Sequence, residues 1–377
     1  MKEKPYCLMP FLHLHISSNG EAKACCVANI PFGNINDQTK DEIWNGESIN
    51  KLRYQFKKGI TDKRCANCQK LEQSGGKSLR QETFEKFDYS KLDEIPSEPI
   101  YFDIRFSNVC NFKCRTCWHG ASSKWFSDAK ALGSTVGQKA IIKNINDFED
   151  FINLWGEALG NAEEFYFAGG EPLVTEEHYL LLNWLIENNA TNARLRYNTN
   201  FSKLTFKNYN VLDLWNQFKE VEILASIDAT HDLGEYIRKE MNWSEIIANR
   251  EKIRQLPHVK FKISPTISVF NVHDFPKLYQ TCLELKMIDK HDFYINILQH
   301  PFYYNIQALP EEKKAKASKV LLEFMAEEKN SHLREAMQEI IDYMMAVDRS
   351  NLWPKFLEQT GRIDKLRDEN YETLKSC

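Results

Sequence analysis

Hydrophobic and polar positions repeat along this chain with two different periods, and the change of period marks its parts. Between about 99 and 306, six runs have β character: Tyr101–Ser107, Glu164–Ala168, Leu195–Thr199, Val221–Asp228, Lys260–Ser268 and Phe293–Leu298. Segments with a 3.6-residue repeat lie between them, at Phe148–Leu159, Glu177–Ile186, Ser244–Leu256 and Phe275–Leu285. Strand–helix repetition of this kind predicts right-handed crossovers and a parallel sheet. Periodicity leaves open whether that sheet is a partial barrel or doubly wound. After Pro310 the pattern is helical over Glu311–Glu328 and His332–Val347, until Pro354 breaks it. Before about 95 the chain is loop-rich. Asn19-Gly20 predicts a hairpin turn between Phe11–Ile16 and Ala24–Val27. Thr39–Trp44 and Ile49–Phe56 have helical spacing, and the stretch from Gly75-Gly76 to Glu98, with Pro96 and Pro99, reads as a linker.

The strands carry an unexpected second pattern. Parallel strands buried on both faces are nearly all apolar, yet these alternate. Phe102, Ile104 and Phe106 oppose Asp103, Arg105 and Ser107, and Leu195 and Tyr197 oppose Arg196 and Asn198. Glu222, Ser226 and Asp228 share a face, as do Lys260, Lys262, Ser264 and Thr266. One face is expected to pack on helices and the other to line something polar, because buried charges need partners. A lumen for a polar or charged ligand, lined by Asp103, Arg105, Arg196, Glu222 and Lys262, meets that need. A network of structural ion pairs is the other reading.

Composition narrows the function classes. The 377 residues suggest two or three structural units. Against 53 acidic residues stand 49 Lys and Arg, a net charge of −4, which offers no grip on a polyanion and predicts no nucleic-acid partner. No apolar run approaches the roughly 20 residues of a spanning helix, and Met1-Lys2-Glu3-Lys4-Pro5 has no apolar segment after it like that of a secretion signal. A cytoplasmic protein without a membrane partner is expected. Of ten cysteines, eight precede residue 118, and such clustering in a signal-less chain points to metal or redox chemistry more than to disulfides. Cys282, within an amphipathic helix, is expected to be a small buried hydrophobe, and Cys377 a frayed terminus.

The string Cys110-Asn-Phe-Lys-Cys114-Arg-Thr-Cys117 directly follows the first β run. Three close thiolates hold three corners of a cubane cluster and leave one iron open. A structural zinc would want a fourth ligand, for which His119 is the candidate. A second constellation comprises Cys7, Cys25 and the CxxC pair Cys65 and Cys68, with Cys26 able to substitute for its neighbour Cys25. By spacing, these four suit either an iron–sulfur cluster or zinc.

The three-cysteine loop resembles that of the radical S-adenosylmethionine (SAM) superfamily. So do Ala168-Gly169-Gly170-Glu171-Pro172 at the second strand's end and Ala225-Ser226-Ile227-Asp228 on the fourth, with consistent order over roughly 100–305. Thr116 stands where the family often has an aromatic residue, with Trp118 after it. The resemblance implies an α/β chain built as a partial (β/α)6 TIM-like barrel over 96–306. A cysteine-rich auxiliary domain and linker at 1–95 would precede it, and a helical C-terminal extension at 307–377 would follow. It also implies SAM contacts. Gly169 and Gly170 would let backbone approach the ligand, with Glu171 near the methionyl amino group. Ser226 and Asp228 would meet the carboxylate or ribose, Arg238 could neutralise the carboxylate, and Asn198 and Asn200 would be polar contacts in the same mouth.

Cys7, Gly20 and Cys25, with Phe32-Gly33-Asn34-Ile35, Ile43-Trp44 and Leu52-Arg53, resemble the auxiliary-cluster modules called SPASM and twitch domains. The count favours one four-cysteine cluster of Cys7, Cys25, Cys65 and Cys68. In the family this module commonly follows the barrel; here it precedes it. Taken together, the resemblances imply an enzyme with two 4Fe-4S clusters and SAM, served by a reductase or a flavodoxin- or ferredoxin-type donor. It would reductively cleave SAM to a 5′-deoxyadenosyl radical and abstract hydrogen from a substrate, most commonly a peptide or protein. Oxidation of a small-molecule alcohol, sugar or aminocyclitol-like, is the alternative. A non-catalytic iron–sulfur or zinc scaffold is a third reading. Six residues precede Cys7, so no separate leader-binding domain is expected there.

Overall fold

The computed structural model describes residues 5–73, 77–88 and 95–374. Gly75-Gly76, residues 89–94 of the charged linker and Cys377 therefore lie outside the described residues. Two compact units divide the chain: 1–109, 141–198 and 205–222 form the first, and 110–140, 199–204 and 223–377 the second.

In the first unit, strands β1 (His13–Ile16), β2 (Glu21–Lys23), β3 (Pro31–Asn34), β4 (Tyr101–Ile104), β5 (Glu164–Phe167) and β6 (Arg194–Thr199) lie in the order β3-β2-β1-β4-β5-β6. The N-terminal hairpin forms as its turn signal predicts, β1 pairing antiparallel with β2. Gly20 at φ +83 makes the tight turn. The second strand falls at 21–23 instead of Ala24–Val27. What periodicity could not show is that β1 then pairs in parallel with β4, so that the cysteine-rich segment and the first predicted β run share one sheet. β4, β5 and β6 continue it in parallel.

The apolar face is built from aromatic rings. Phe102 stacks on Phe165 at 5.8 Å and meets Trp155 of helix Phe148–Gly160 edge-on at 6.2 Å. Rings of this size bury the most area per residue and dominate core energetics. The other face is polar, as the alternation predicts. His15, Asp103, Tyr166 and Arg196 lie in register across β1, β4, β5 and β6. After a short hairpin of β7 (Thr205–Phe206) and β8 (Tyr209–Asn210), Val221 and Glu222 open β9 (Val221–Ala225), and Glu222 pairs with Arg196 at 2.9 Å.

In the second unit the remainder of β9 neighbours β10 (Val259–Ile263), and Ser264 N–H donates to Ala225 O at 2.7 Å. β11 (Thr266–Ile267) pairs in parallel with β12 (Asn296–Ile297), so the predicted fifth and sixth runs are present in shortened form. Helices Trp243–Ile253, Phe275–Glu284, Glu311–Glu327 and Ser331–Ala346 fall where the periodicity put them. Two expectations fail for identifiable reasons. Pro354 ends no helical region: it sits in the first turn of helix Trp353–Arg367, where a missing N–H goes unnoticed. The predicted linker contains helix Leu79–Lys86, started by a capping box between Ser78 and Gln81. No helix of the described residues is long and apolar enough to cross a membrane.

Phe102→Ala removes the ring that joins Phe165 to Trp155, and is expected to cost about 3–5 kcal/mol by chemical denaturation. A loss below about 1 kcal/mol would contradict the placement of this core.

Candidate functional site

In the second unit, Cys110, Cys114 and Cys117 are each half-buried on a loop. Phe112, buried between the first two, points into the core, and Ser122 Oγ donates to its carbonyl at 2.6 Å. Trp125 Nε1 donates to Cys114 O at 2.6 Å, and Cys117 N–H to the same carbonyl at 3.0 Å. The backbone runs beside residues 237–239, with Lys113 N–H donating to Lys239 O at 3.2 Å and Arg115 N–H to Ile237 O at 2.7 Å.

Arg115, inside the motif, has no exposed side-chain surface. Its Nη2 meets Asp364 Oδ1 and Glu369 Oε2, each at 2.5 Å, and its guanidinium lies 3.6 Å over the Tyr236 ring. Tyr236 in turn donates to Asp364 at 2.8 Å, and Lys239 pairs with Glu369 at 2.7 Å. Helix Trp353–Arg367, through Asp364, and Glu369 just beyond it thus anchor the cysteine loop by charge.

Arg238 approaches the thiols, with Nη1 3.9 Å from Cys114 Sγ. Both its Nε and Nη2 reach Asp228, at 2.8 and 3.0 Å, and Asp228 also accepts Thr266 N–H at 2.8 Å. Burial works against the guanidinium's charge, but Asp228 and Cys114 outweigh it and hold Arg238 above its ordinary range. Burial raises Cys114, against the pull of Arg238, and pushes Cys117 up to about 12. Ser226 is half-buried, and its N–H donates to Thr199 O at 2.8 Å. Asn200 donates to Asn111, inside the cysteine loop, at 2.8 Å, and Asn111 donates to Ser202 at 2.8 Å.

In the first unit, Gly169 and Gly170 run along the backbone that precedes Cys110. Gly170 N–H donates to Ser107 O at 3.0 Å, and Glu171 N–H to Val109 O at 2.7 Å. A Cβ on Gly170 would stand 2.1 Å from Val109 O, and Gly169 has φ +116, so both positions exclude a side chain. Glu171 is buried and its Oε1 accepts Leu173 N–H at 3.0 Å, capping its own turn. Asn198 Oδ1 is buried with no hydrogen-bond partner among the described residues, on the polar face of β6.

The N-terminal cysteines also assemble in the first unit. Cys7 and Cys25 are buried, and Cys65 and Cys68 half-buried, on the loop and helix Ala66–Gln73. Cys7 feels the charge of Cys25, Cys68 and Cys65, and Cys25 that of Cys68 and Cys65. Burial pushes Cys25 up to about 12 and Cys65 to about 11. Ala28 N–H lies 3.3 Å from Cys25 Sγ, the kind of donor that offsets thiolate charge. Cys26 is placed differently. It is exposed, and after burial its strongest neighbours are Asp103 and Arg105. Cys25 thus shares its charged neighbours Cys65 and Cys68 with Cys7, whereas those of Cys26 are Asp103 and Arg105.

Among the described residues, no three Cys, His, Asp or Glu side chains converge as ligands of a single ion. A cubane asks for thiolates at separate corners, and two sets of soft sulfur donors match that demand. The Asn198 oxygen and the glycine backbone fit a polar organic ligand such as SAM.

Residues 7–69, which contain all five N-terminal cysteines, match the family model of SPASM, an iron–sulfur cluster-binding domain. The match makes the N-terminal segment an iron–sulfur cluster-binding domain of the SPASM type, and the three-cysteine loop and the glycine-rich strand end resemble those of radical SAM proteins. The chain is similar to native anSMEcpe with bound AdoMet at 18% identity and a TM-score of 0.43, covering 63% of each chain. It is similar to the same protein with bound AdoMet and Cp18Cys peptide at 18% identity and a TM-score of 0.43, covering 62% of this chain and 61% of that one. To Streptococcus suis SuiB bound to S-adenosylmethionine it shows 16% identity and a TM-score of 0.41, over 74% of this chain and 59% of that one. The chain thus spans about three fifths of the length of these solved structures. No curated protein matches it.

Sequence reasoning did not single out Arg115, Asn111, Ser202, Asp364 or Glu369. Arg115 lay in plain view inside the motif, but its partners are some 250 positions away, with no local signal.

Removing one side of a buried ion pair typically costs about 3–5 kcal/mol, because a charge is left without a partner. Arg115→Met is therefore expected to lower stability by about that amount and to weaken cluster retention. In the N-terminal set, Cys25→Ser is expected to lower the bound iron, whereas Cys26→Ser leaves it unchanged. Iron assay on the two variants decides between the adjacent thiols.

Proposed function

We propose that the protein is a radical SAM enzyme that acts on a peptide or protein. The observation that carries this reading is the braced three-thiol loop, which has no fourth cysteine of its own and holds Arg238 against Cys114. Cys110, Cys114 and Cys117 would hold one 4Fe-4S cluster, and Cys7, Cys25, Cys65 and Cys68 a second. When bound, the first cluster and SAM supply one-electron chemistry: reductive cleavage of SAM, followed by removal of a hydrogen atom from a substrate C–H bond.

The chain's own residues bind and orient. Arg238 offsets the negative charge of the cluster's thiolates, and Asp228 fixes its direction through two bonds. Gly169 and Gly170 keep backbone, free of side chains, at a strand end, where parallel sheets bind ligands. Asn200 and Ser226, in the same unit as the three thiols, offer hydrogen bonds that would help to seat SAM. An external reductase, flavodoxin or ferredoxin type, would deliver the electron. Support for a peptide or protein substrate comes from the SPASM match, since modules of this type resemble those of peptide-modifying relatives.

Anaerobically reconstituted protein is expected to hold on the order of eight irons, as two cubanes do. Replacing Cys110, Cys114 and Cys117 with Ala should halve the iron and abolish 5′-deoxyadenosine formation from SAM under dithionite. SAM cleavage that survives this variant would overturn the proposal. Four irons with zinc in the N-terminal set would overturn the second cluster alone.

A further inference from the structure

The second unit carries a groove that the cysteine loop does not line. A cavity of about 330 Å³ lies between the run Phe293–Ile297 and helix Ser331–Ala346. Phe293, Ile295 and Ile297 form one wall, and Leu333, Ala336 and Ile340 the other. Two hydrogen bonds pin its ends: Asn330 Nδ2 donates to Lys290 O at 2.6 Å, and Tyr343 OH to Gln299 Oε1 at 3.1 Å. Strand and helix thus run side by side in one direction, with the small Ala336 side chain between the pins. Phe293 also meets the rings of Phe275 and Tyr279 at 5.6 and 5.3 Å, whereas Asn296 turns to the other face and donates to Ser264 Oγ at 3.0 Å. The groove is therefore on the helix-covered side of the strand, away from that polar row.

Half of the backbone groups along this run are taken. Tyr294, Asn296 and Leu298 N–H donate to Ile263, Pro265 and Ile267 O at 2.9, 3.0 and 2.9 Å. Successive residues of a strand turn their N–H and C=O to opposite sides, so those of Phe293, Ile295 and Ile297 point away from β10 and β11. Among the described residues, no hydrogen bond reaches the N–H of these three or the C=O of Ile295. Ile297 O accepts Gln299 Nε2 at 3.1 Å. An edge with such a row of open groups is a template for another strand. The residues whose backbone is open are also those whose side chains line the cavity, so a strand added here lays every second side chain toward it.

The two ends differ in charge. At the Asn330 end stand Lys290, with no acidic partner among the described residues, and the imidazoles of His291 and His332, 6.0 Å apart. Glu339 lines the cavity about two turns further along the helix, toward Tyr343. No salt bridge reaches it among the described residues, and burial, Glu335 and Asp342 hold its carboxyl above the ordinary range.

We propose that this groove docks an extended peptide, which adds antiparallel to Phe293–Ile297 as a further strand. The peptide carries a basic, an apolar and an acidic residue at alternate positions. The first meets Glu339, the second enters the cavity beside Ala336, and the third meets Lys290. Five residues of strand span about 16 Å, the length of this edge. Backbone pairing supplies affinity and the alternate side chains supply selection. An apolar small molecule would fill the cavity but pair with none of the open donors. Calling the peptide a segment of the substrate rests on the enzymatic reading above; the groove itself does not.

The test uses full-length, cluster-loaded protein without SAM. Fluorescein-Gly-Gly-Lys-Thr-Ile-Thr-Glu-amide should bind with a Kd below about 1 mM by fluorescence anisotropy. N-methylation of its Ile nitrogen, which faces Ile295 in antiparallel pairing, should weaken binding about tenfold, the size of one strong hydrogen bond. N-methylation of the second Thr, whose N–H faces away, should leave binding within about twofold of the parent peptide. Glu339→Gln should weaken binding several-fold, and should have no effect on a peptide with Gln in place of Lys, as a direct pair requires. Ala336→Phe, which fills the cavity from the helix side, should abolish binding while 5′-deoxyadenosine formation from SAM stays at the wild-type level.

No anisotropy change at about 1 mM protein, equal tolerance of the two methyl groups, or unchanged binding by folded Ala336→Phe would overturn the groove. A dimer by light scattering that Ala336→Phe converts to monomer would also overturn it, by assigning the edge to a second copy of this chain. Peptide binding without SAM cleavage supports the groove and removes only the enzymatic reading. SAM cleavage without peptide binding removes only the groove.

Discussion

Arg115 sits between two of the three thiols of the cysteine loop, and its guanidinium has no route to water. Such a charge is tolerated only when its partners are fixed, and Asp364, Glu369 and the Tyr236 ring fix them. The loop is thereby tied to helix Trp353–Arg367 and to Glu369 beyond it, although neither contributes a cysteine. A second line of charge runs from Asp228 through Arg238 to Cys114. Between these two anchors the backbone of residues 113–115 is held along residues 237–239, and the thiols have a defined direction before any iron arrives. Preorganisation of this kind spares the cluster the entropy of ordering its own loop.

The first unit meets the opposite requirement. Its polar sheet face carries alternating charges that a two-sided parallel sheet would ordinarily exclude. Part of that face is closed by mutual pairing: Lys86 with Glu164, Arg194 with Glu220, and Arg196 with Glu222. Part stays open, where Arg105, Tyr166 and the Asn198 oxygen keep hydrogen-bonding capacity. The ion-pair reading of the alternation thus accounts for several positions on these strands, and the ligand reading remains an expectation for the others.

How much of this was legible follows from the range of each interaction. Period-two and 3.6-residue patterns report local geometry, so Tyr101–Ile104, Phe148–Gly160 and Ser331–Ala346 emerged close to their expected bounds. The three-cysteine loop was legible because its ligands are neighbours in sequence. The choice between Cys25 and Cys26 was not, because it depends on which face of the loop looks toward Cys65 and Cys68 and which toward Arg105. Parallel pairing of His13–Ile16 with Tyr101–Ile104 joins segments some 88 residues apart, and strand pairing at that separation leaves no periodic trace. Glu171, expected at the ligand, caps its own turn. Its backbone position carries the motif's role more plainly than its carboxylate does.

The central claim is that the loop of Cys110, Cys114 and Cys117 holds a cluster with an iron open to SAM, distinct from the N-terminal cluster. Electron paramagnetic resonance of the reduced, cluster-loaded protein, recorded before and after addition of SAM, tests it most directly. The account predicts that SAM shifts the signal of the loop's cluster, and that the shift persists when Cys65 and Cys68 are replaced by Ala. A spectrum that SAM leaves unchanged, or a shift that disappears with Cys65 and Cys68, would contradict it.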